Sequence, residues 1–108
     1  MIKVDFFSLG DSLEGFEVSG HSGFADAGED IICSAVSSAV YMAANTITDV
    51  VCQSADIKVD DGYLYLVTDI TSESQTILKG LQLHLISLSK DYPKNIKVKT
   101  SKRRCHNA

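Results

Sequence analysis

Apolar and polar residues alternate from Ile2 to Phe7. They alternate again from Leu13 to Gly20, where Phe16 and Val18 share one face and Glu17 and Ser19 the other. A period of two marks a strand whose two faces see different surroundings. Gly10-Asp11-Ser12 supplies turn chemistry between the runs, which predicts a hairpin with a loop of roughly four residues. The period then changes. Ile32, Ala35, Val36, Ala39, Val40, Ala43, Ile47, Val50 and Val51 recur at steps of three and four. That spacing predicts a buried helical stripe about 20 residues long. Its alanines imply close packing. Asp30 is the expected N-cap, and Glu29 and Asp30 suit the positive end of the helix dipole.

Two more alternating runs, Ile57–Asp60 and Tyr63–Val67, flank Asp61-Gly62, a strong hairpin signal. Thr71 or Ser72 is placed to cap a second helix, and Ser72-Glu73-Ser74-Gln75 fits a capping box. Leu78, Leu81, Leu85 and Leu88 give that helix its apolar face, widened by Ile77, Leu83 and Ile86. His84 falls at the edge of this face. Gly80 costs about 1 kcal/mol against Ala inside a helix, so a close approach is expected there. Pro93 stops the helix, and Asn95–Thr100 reads as a last strand.

The order is ββαββαβ. It predicts an α+β two-layer sandwich, with one mixed or antiparallel sheet covered on one face by two helices. Phe6, Phe7 and the tyrosines are expected on the other face, and a homodimer is one way to cover them. The 108 residues bound a single domain, 1–108, with 100–108 as a basic, frayed tail.

Charge narrows the partners. The formal net charge is −4, and phosphate contacts are made with Lys and Arg, so no direct nucleic-acid partner is expected. The basic run Lys97–Arg104 reads as solvated rather than as an RNA contact. No continuous apolar window of about 18 residues exists and no signal peptide is visible, so no membrane partner is expected. Cys33, Cys52 and Cys105 match no zinc or redox spacing, so no metal or cofactor is expected and the cytoplasm is the simplest location.

The chemistry gathers in Gly20–Ser37, GHSGFADAGEDIICSAVS. An ordinary thiol has a pKa near 8.5 and is only about 3% thiolate at pH 7. Cys33 in the first turn of a helix would have that pKa lowered by the dipole and by a protonated His21. The segment between them can fold back, so His21 could stabilise the thiolate and later protonate a leaving amine. Backbone N–H groups of the first turn could bind an oxyanion. Asp30 could orient His21 or simply cap the helix. The plain alternatives are a small buried Cys33 and a surface His21. Cys52 reads as structural, and Cys105-His106 lies in a polar terminal tail where nothing would hold a dyad.

Gly20-His21, Gly23, Ala25, Gly28 and Asp30-Ile31-Ile32-Cys33-Ser34-Ala35-Val36-Ser37 resemble the signature of the Prp ribosomal-processing cysteine protease family. The resemblance runs along the whole chain. Ile32 and Ser34 stand where Val and Ala are usual, and Ser22 where Ala is common. The resemblance implies one sheet with two helices, assembled as a homodimer. It implies a cysteine endopeptidase with Cys33 as nucleophile and His21 as base. Asp30 and Ser37 match supporting positions of the motif. The resemblance further implies that Ser22, Gly23 and Gly28 fall in a substrate loop that orders on substrate, and from this His21 and Cys33 are expected to be apart in the free enzyme. The implied partner is a ribosomal protein precursor, large-subunit ribosomal protein twenty-seven. Its N-terminal extension would be removed after a phenylalanine. A non-catalytic ribosomal-protein-binding module is the second hypothesis, and a redox sensor at Cys33 the third.

Overall fold

A computed structural model describes residues 1–20 and 27–102, with the backbone alone for 27–30. Strand β1 (Ile2–Leu9) is followed by β2 (Ser12–Ser19), helix α1 (Ala27–Asn45) and one π-helical turn (Thr46–Val50). Then come β3 (Ala55–Asp60), β4 (Tyr63–Thr68), α2 (Ser72–Asp91) and β5 (Ile96–Lys102). The sheet runs β3-β4-β2-β1-β5. Its pairs are antiparallel except β1–β5, which is parallel. The expected α+β sandwich of order ββαββαβ is observed, and the sheet is mixed.

Both helices cover one face. Ile2, Val4, Phe6, Phe16, Val18, Leu64, Leu66 and Ile96 pack there against Ile32, Val36, Val40, Ala43, Ile47, Leu78, Leu81 and Leu85. Phe6 therefore lies in the core, contrary to expectation. The pleat sends Phe7, with Tyr63 and Tyr65, to the open face, where Phe7 meets Tyr65 at 5.7 Å between ring centroids. Tyr63 donates to Glu17 Oε2 at 2.5 Å on that face. This bond, followed by desolvation, pushes the Tyr63 pKa up from 10.0 to about 12.

Several expectations shift locally. The first hairpin turns through two residues, not four, because the β1–β2 register slips between Phe7 and Ser8 and lets β2 begin at Ser12. Thr71 is the N-cap, and its box partner is Ser74. Gln75 instead reaches β2, donating to Leu13 O and accepting from Leu13 N, both at 2.7 Å. The π turn breaks the phase of the α1 stripe, so Val50 is 76% exposed. Cys52 is exposed, at φ 62, with its thiol donating to Asp49 O at 3.5 Å. Leu83 points to solvent, and a Cβ at Gly80 would meet nothing within 4 Å, so no close approach occurs there. The last strand continues to Lys102, so residues 100–102 belong to the sheet and not to a tail. Ile31–Val50 is long and apolar enough to cross a membrane by length and composition, which the absence of a continuous apolar window had concealed. Here it is the core helix, with its inner face on the sheet.

At Gly15 on β2 the backbone of β4 leaves no room for a side chain. A Cβ there would lie 1.8 Å from Leu66 O on β4. Gly15→Ala is expected to destabilise the fold by more than about 3 kcal/mol, read as a lowered midpoint in urea unfolding. A midpoint equal to wild type would show that β4 shifts freely. At high pH, ultraviolet titration should show one tyrosine ionising near pH 12, absent in Tyr63→Phe. Its folded pKa lies above the unfolded value. The stability from the Tyr63–Glu17 bond is therefore intact below about pH 10 and is lost as pH rises through about 12.

Candidate active site

Gly20 closes β2 at φ 93, where any Cβ would lie 2.4 Å from Met1 O. Its N–H donates to Gly62 O at 3.2 Å. These contacts require glycine and fix the direction in which the chain leaves the sheet. The sequence signal is a glycine ending an alternating run directly before His21. This structural duty is absent from a reading of side chains alone. After six intervening residues α1 begins and returns along the sheet. Its 19 residues cover roughly 28 Å at 1.5 Å each, about the length of β1. The far end is set by Gln53, which donates to Thr68 Oγ1 and Asp69 O at 2.8 Å and accepts from Thr71. The N-terminal end of α1 therefore lies toward Gly20 and the β3–β4 turn.

Cys33 is the seventh residue of this helix. It is half-buried and packs against the core beside buried Ile32 and Val36. Ser37, one turn further along the same face, is also half-buried. Next to this pair the helix surface is open, with Ile31 68% exposed and Ser34 exposed. Cys33 thus stands on the border between the packed stripe and the exposed side.

The helix starts earlier than its apolar pattern does, which changes three expectations. Ala27 and Glu29 are good helix formers, and the chain is already helical there. Asp30 lies inside the first turn rather than at the N-cap. Gly28 belongs to α1 rather than to a substrate loop. Cys33 stands in the second turn, whereas the N–H groups without intrahelical acceptors belong to the first four residues, 27–30. The influence of the helix end fades within one turn. The helix end alone therefore does little to activate a thiol at this position. His21, Ser22 and Gly23 lie outside the described residues, as do Cys105 and His106, and so does the expected separation of His21 from Cys33. His84 is on the exposed side of α2, lining a groove against Met42 and Thr46 of the neighbouring layer element. Among the described residues, no group of three or more His, Cys, Asp or Glu could hold a metal ion.

The sequence profile of the family described as Cysteine protease Prp matches residues 1–97. The ribosomal processing cysteine protease Prp of Bacillus subtilis (strain 168) is 30% identical over 94 residues, covering 80% of this chain and 84% of that protein. Its namesake in Staphylococcus aureus (strain Mu50) is 27% identical over 85 residues, covering 75% and 80%. The crystal structure of SMU.848 from Streptococcus mutans superposes with a TM-score of 0.84 at 24% identity, covering 95% of this chain and 96% of that one. The S. aureus protease Prp in complex with a substrate peptide gives 0.85 at 24% identity, covering 94% and 100%. At that identity the solved structures speak for the fold alone. The profile over nearly the whole chain and the Bacillus relative decide the rest: the chain belongs to the cysteine protease Prp family and is a cysteine endopeptidase.

Proposed function

We propose that Cys33 is the nucleophile and His21 its general base. We propose as substrate the precursor of large-subunit ribosomal protein twenty-seven, cut after a phenylalanine of its N-terminal extension. The observation that carries this reading is the family match over residues 1–97, which contains both residues in their motif. The names of the relatives supply the ribosomal substrate class. In this reading the Cys33 thiolate attacks the scissile carbonyl carbon, and His21 protonates the departing amine as the C–N bond breaks. Water then attacks the thioester while His21 takes its proton, which releases the acid and restores the thiol. Asp30 and Ser37 act in support, and the segment with Ser22 and Gly23 receives the peptide. The half-buried setting of Cys33 favours this role, since the sulfur is held by packing yet borders an open surface. The enzyme acts in the cytoplasm as a homodimer. The exposed apolar side chains Met42 and Leu83 on the helical layer support that assembly.

Mass spectrometry of the precursor incubated with the enzyme should show one cut after a phenylalanine near its N-terminus. Cys33→Ala and His21→Ala should each lower the rate by on the order of 10⁴-fold or more. Cys52→Ala should cleave like wild type, because its thiol is exposed at the end of the π turn, far along α1 from Cys33. Cleavage that persists in Cys33→Ala would remove the nucleophile from this reading. Binding of the precursor without cleavage by the wild type would favour the non-catalytic module.

A further inference from the structure

Six of the ten cations of the chain lie in eleven residues, Lys94 to Arg104, a stretch without a single acid. The other 97 residues hold four cations against fourteen acids. Such segregation within one acidic domain points to a polyanionic partner. The alternative is a solvated tail, and the structure removes it for most of the run. Lys97, Lys99 and Lys102 stand in β5, a paired edge strand of the sheet, and all are exposed.

The register sharpens the point. Lys3 on β1 is directly opposite Lys97. Neighbouring strands are about 4.8 Å apart, so two like charges face each other, an arrangement that costs stability unless an anion lies between them. Edge lysines alone also serve to keep sheet edges apart. Lys3 is not explained that way, because β1 is an interior strand flanked by β2 and β5. Lys99 follows Lys97 by two residues, about 6.6 Å along the same face. The three line one side of a groove of about 490 Å³ on the open sheet face. Two carboxylates share that groove and are held by hydroxyl donors: Glu17 accepts from Tyr63, and Asp5 accepts from Ser101 at 2.7 and 2.8 Å, which leaves three cations against two anions. The Lys99–Asp5 contact is long, 3.9 Å, with Lys99 71% exposed. Among the described residues, neither Lys3 nor Lys97 has an ion-pair partner.

We propose that Lys3, Lys97 and Lys99 form a strip on the open face of β5 and β1 that binds the phosphate backbone of single-stranded RNA. A flat strand edge matches one extended strand, whereas a duplex groove admits a helix or a two-stranded ribbon. The choice of RNA over DNA rests on the proposed ribosomal substrate; the phosphate strip does not.

The test is fluorescence anisotropy of a labelled mixed-sequence RNA oligonucleotide with the full chain, over a range of salt. Binding is expected at low salt, with log Kd against log salt changing by about 0.7 for each phosphate held, or about 2 for three lysines. Lys97→Ala should lower that slope by about 0.7. Lys3→Glu with Lys97→Glu and Lys99→Glu should abolish binding, while Lys79→Glu on α2 should leave it unchanged. Precursor cleavage by the triple variant, measured in parallel, reports its folding and stays at the wild-type rate. No binding at low salt, or equal binding by the triple variant, overturns the proposal. Equal competition by polyglutamate overturns it in favour of an acidic protein, and tighter binding of the matching DNA overturns the assignment to RNA. None of these outcomes touches the cleavage result, so the two readings fail separately.

Discussion

Helix α1 lies against the sheet through Val36, Val40, Ala43 and Ile47, and the phase of this contact decides how Cys33 is presented. Successive helical residues are turned by about 100°. A slip of one residue would carry the thiol either into the core, where a thiolate is strongly disfavoured, or fully into water. The observed phase leaves it half-buried and packed against the core cluster that contains Ile32 and Val36. The same hydrophobic contact that stabilises the domain therefore sets the environment of the Cys33 sulfur. The alanines on the stripe let the helix approach the sheet closely enough for this to be a tight constraint.

The end of the molecule remote from Gly20 is tied by polar contacts. Gln53 joins the chain after the π turn to Thr68 and Thr71, and Thr68 donates to Ser54 O at 2.6 Å. Ser74 completes the cap of α2 and also donates to Asp69 O. Gln75 then fastens the first turn of α2 to the start of β2. Buried polar groups that are mutually satisfied rigidify their surroundings. No buried side-chain nitrogen or oxygen among the described residues lacks a partner. The rigid end thus anchors both helices, and Gly20, where the chain leaves β2, lies at the opposite end.

Closure of the sheet by β5 has a second consequence. Because β5 pairs in parallel with β1, Lys97 and Lys99 come into line with Lys3 and Asp5 on the open face. Charges that are dispersed along the chain become a local pattern, which net charge cannot express. The helical face shows the converse. Leu78, Leu81 and Leu85 of α2 face the sheet, whereas Leu83 stands about 200° around the helix from both Leu81 and Leu85 and is 73% exposed.

Period-two and period-3.6 patterns, Asp61-Gly62, Thr71 and Pro93 were sufficient for the order of elements, since each acts through its immediate neighbours. The family was also legible, as a motif of residue types at fixed spacing around Cys33, and the family profile over residues 1–97 bears it out. Other features depended on contacts between distant segments. The start of α1 at Ala27, the two-residue turn at Gly10-Asp11, the burial of Phe6 and the exposure of Cys52 each required a partner strand or a break in helical phase. Likewise, Lys97 could be counted in the sequence, but only the parallel β1–β5 register sets it opposite Lys3. Local propensity is carried by adjacent residues, whereas register, facing and charge juxtaposition are properties of chain segments brought together by the core.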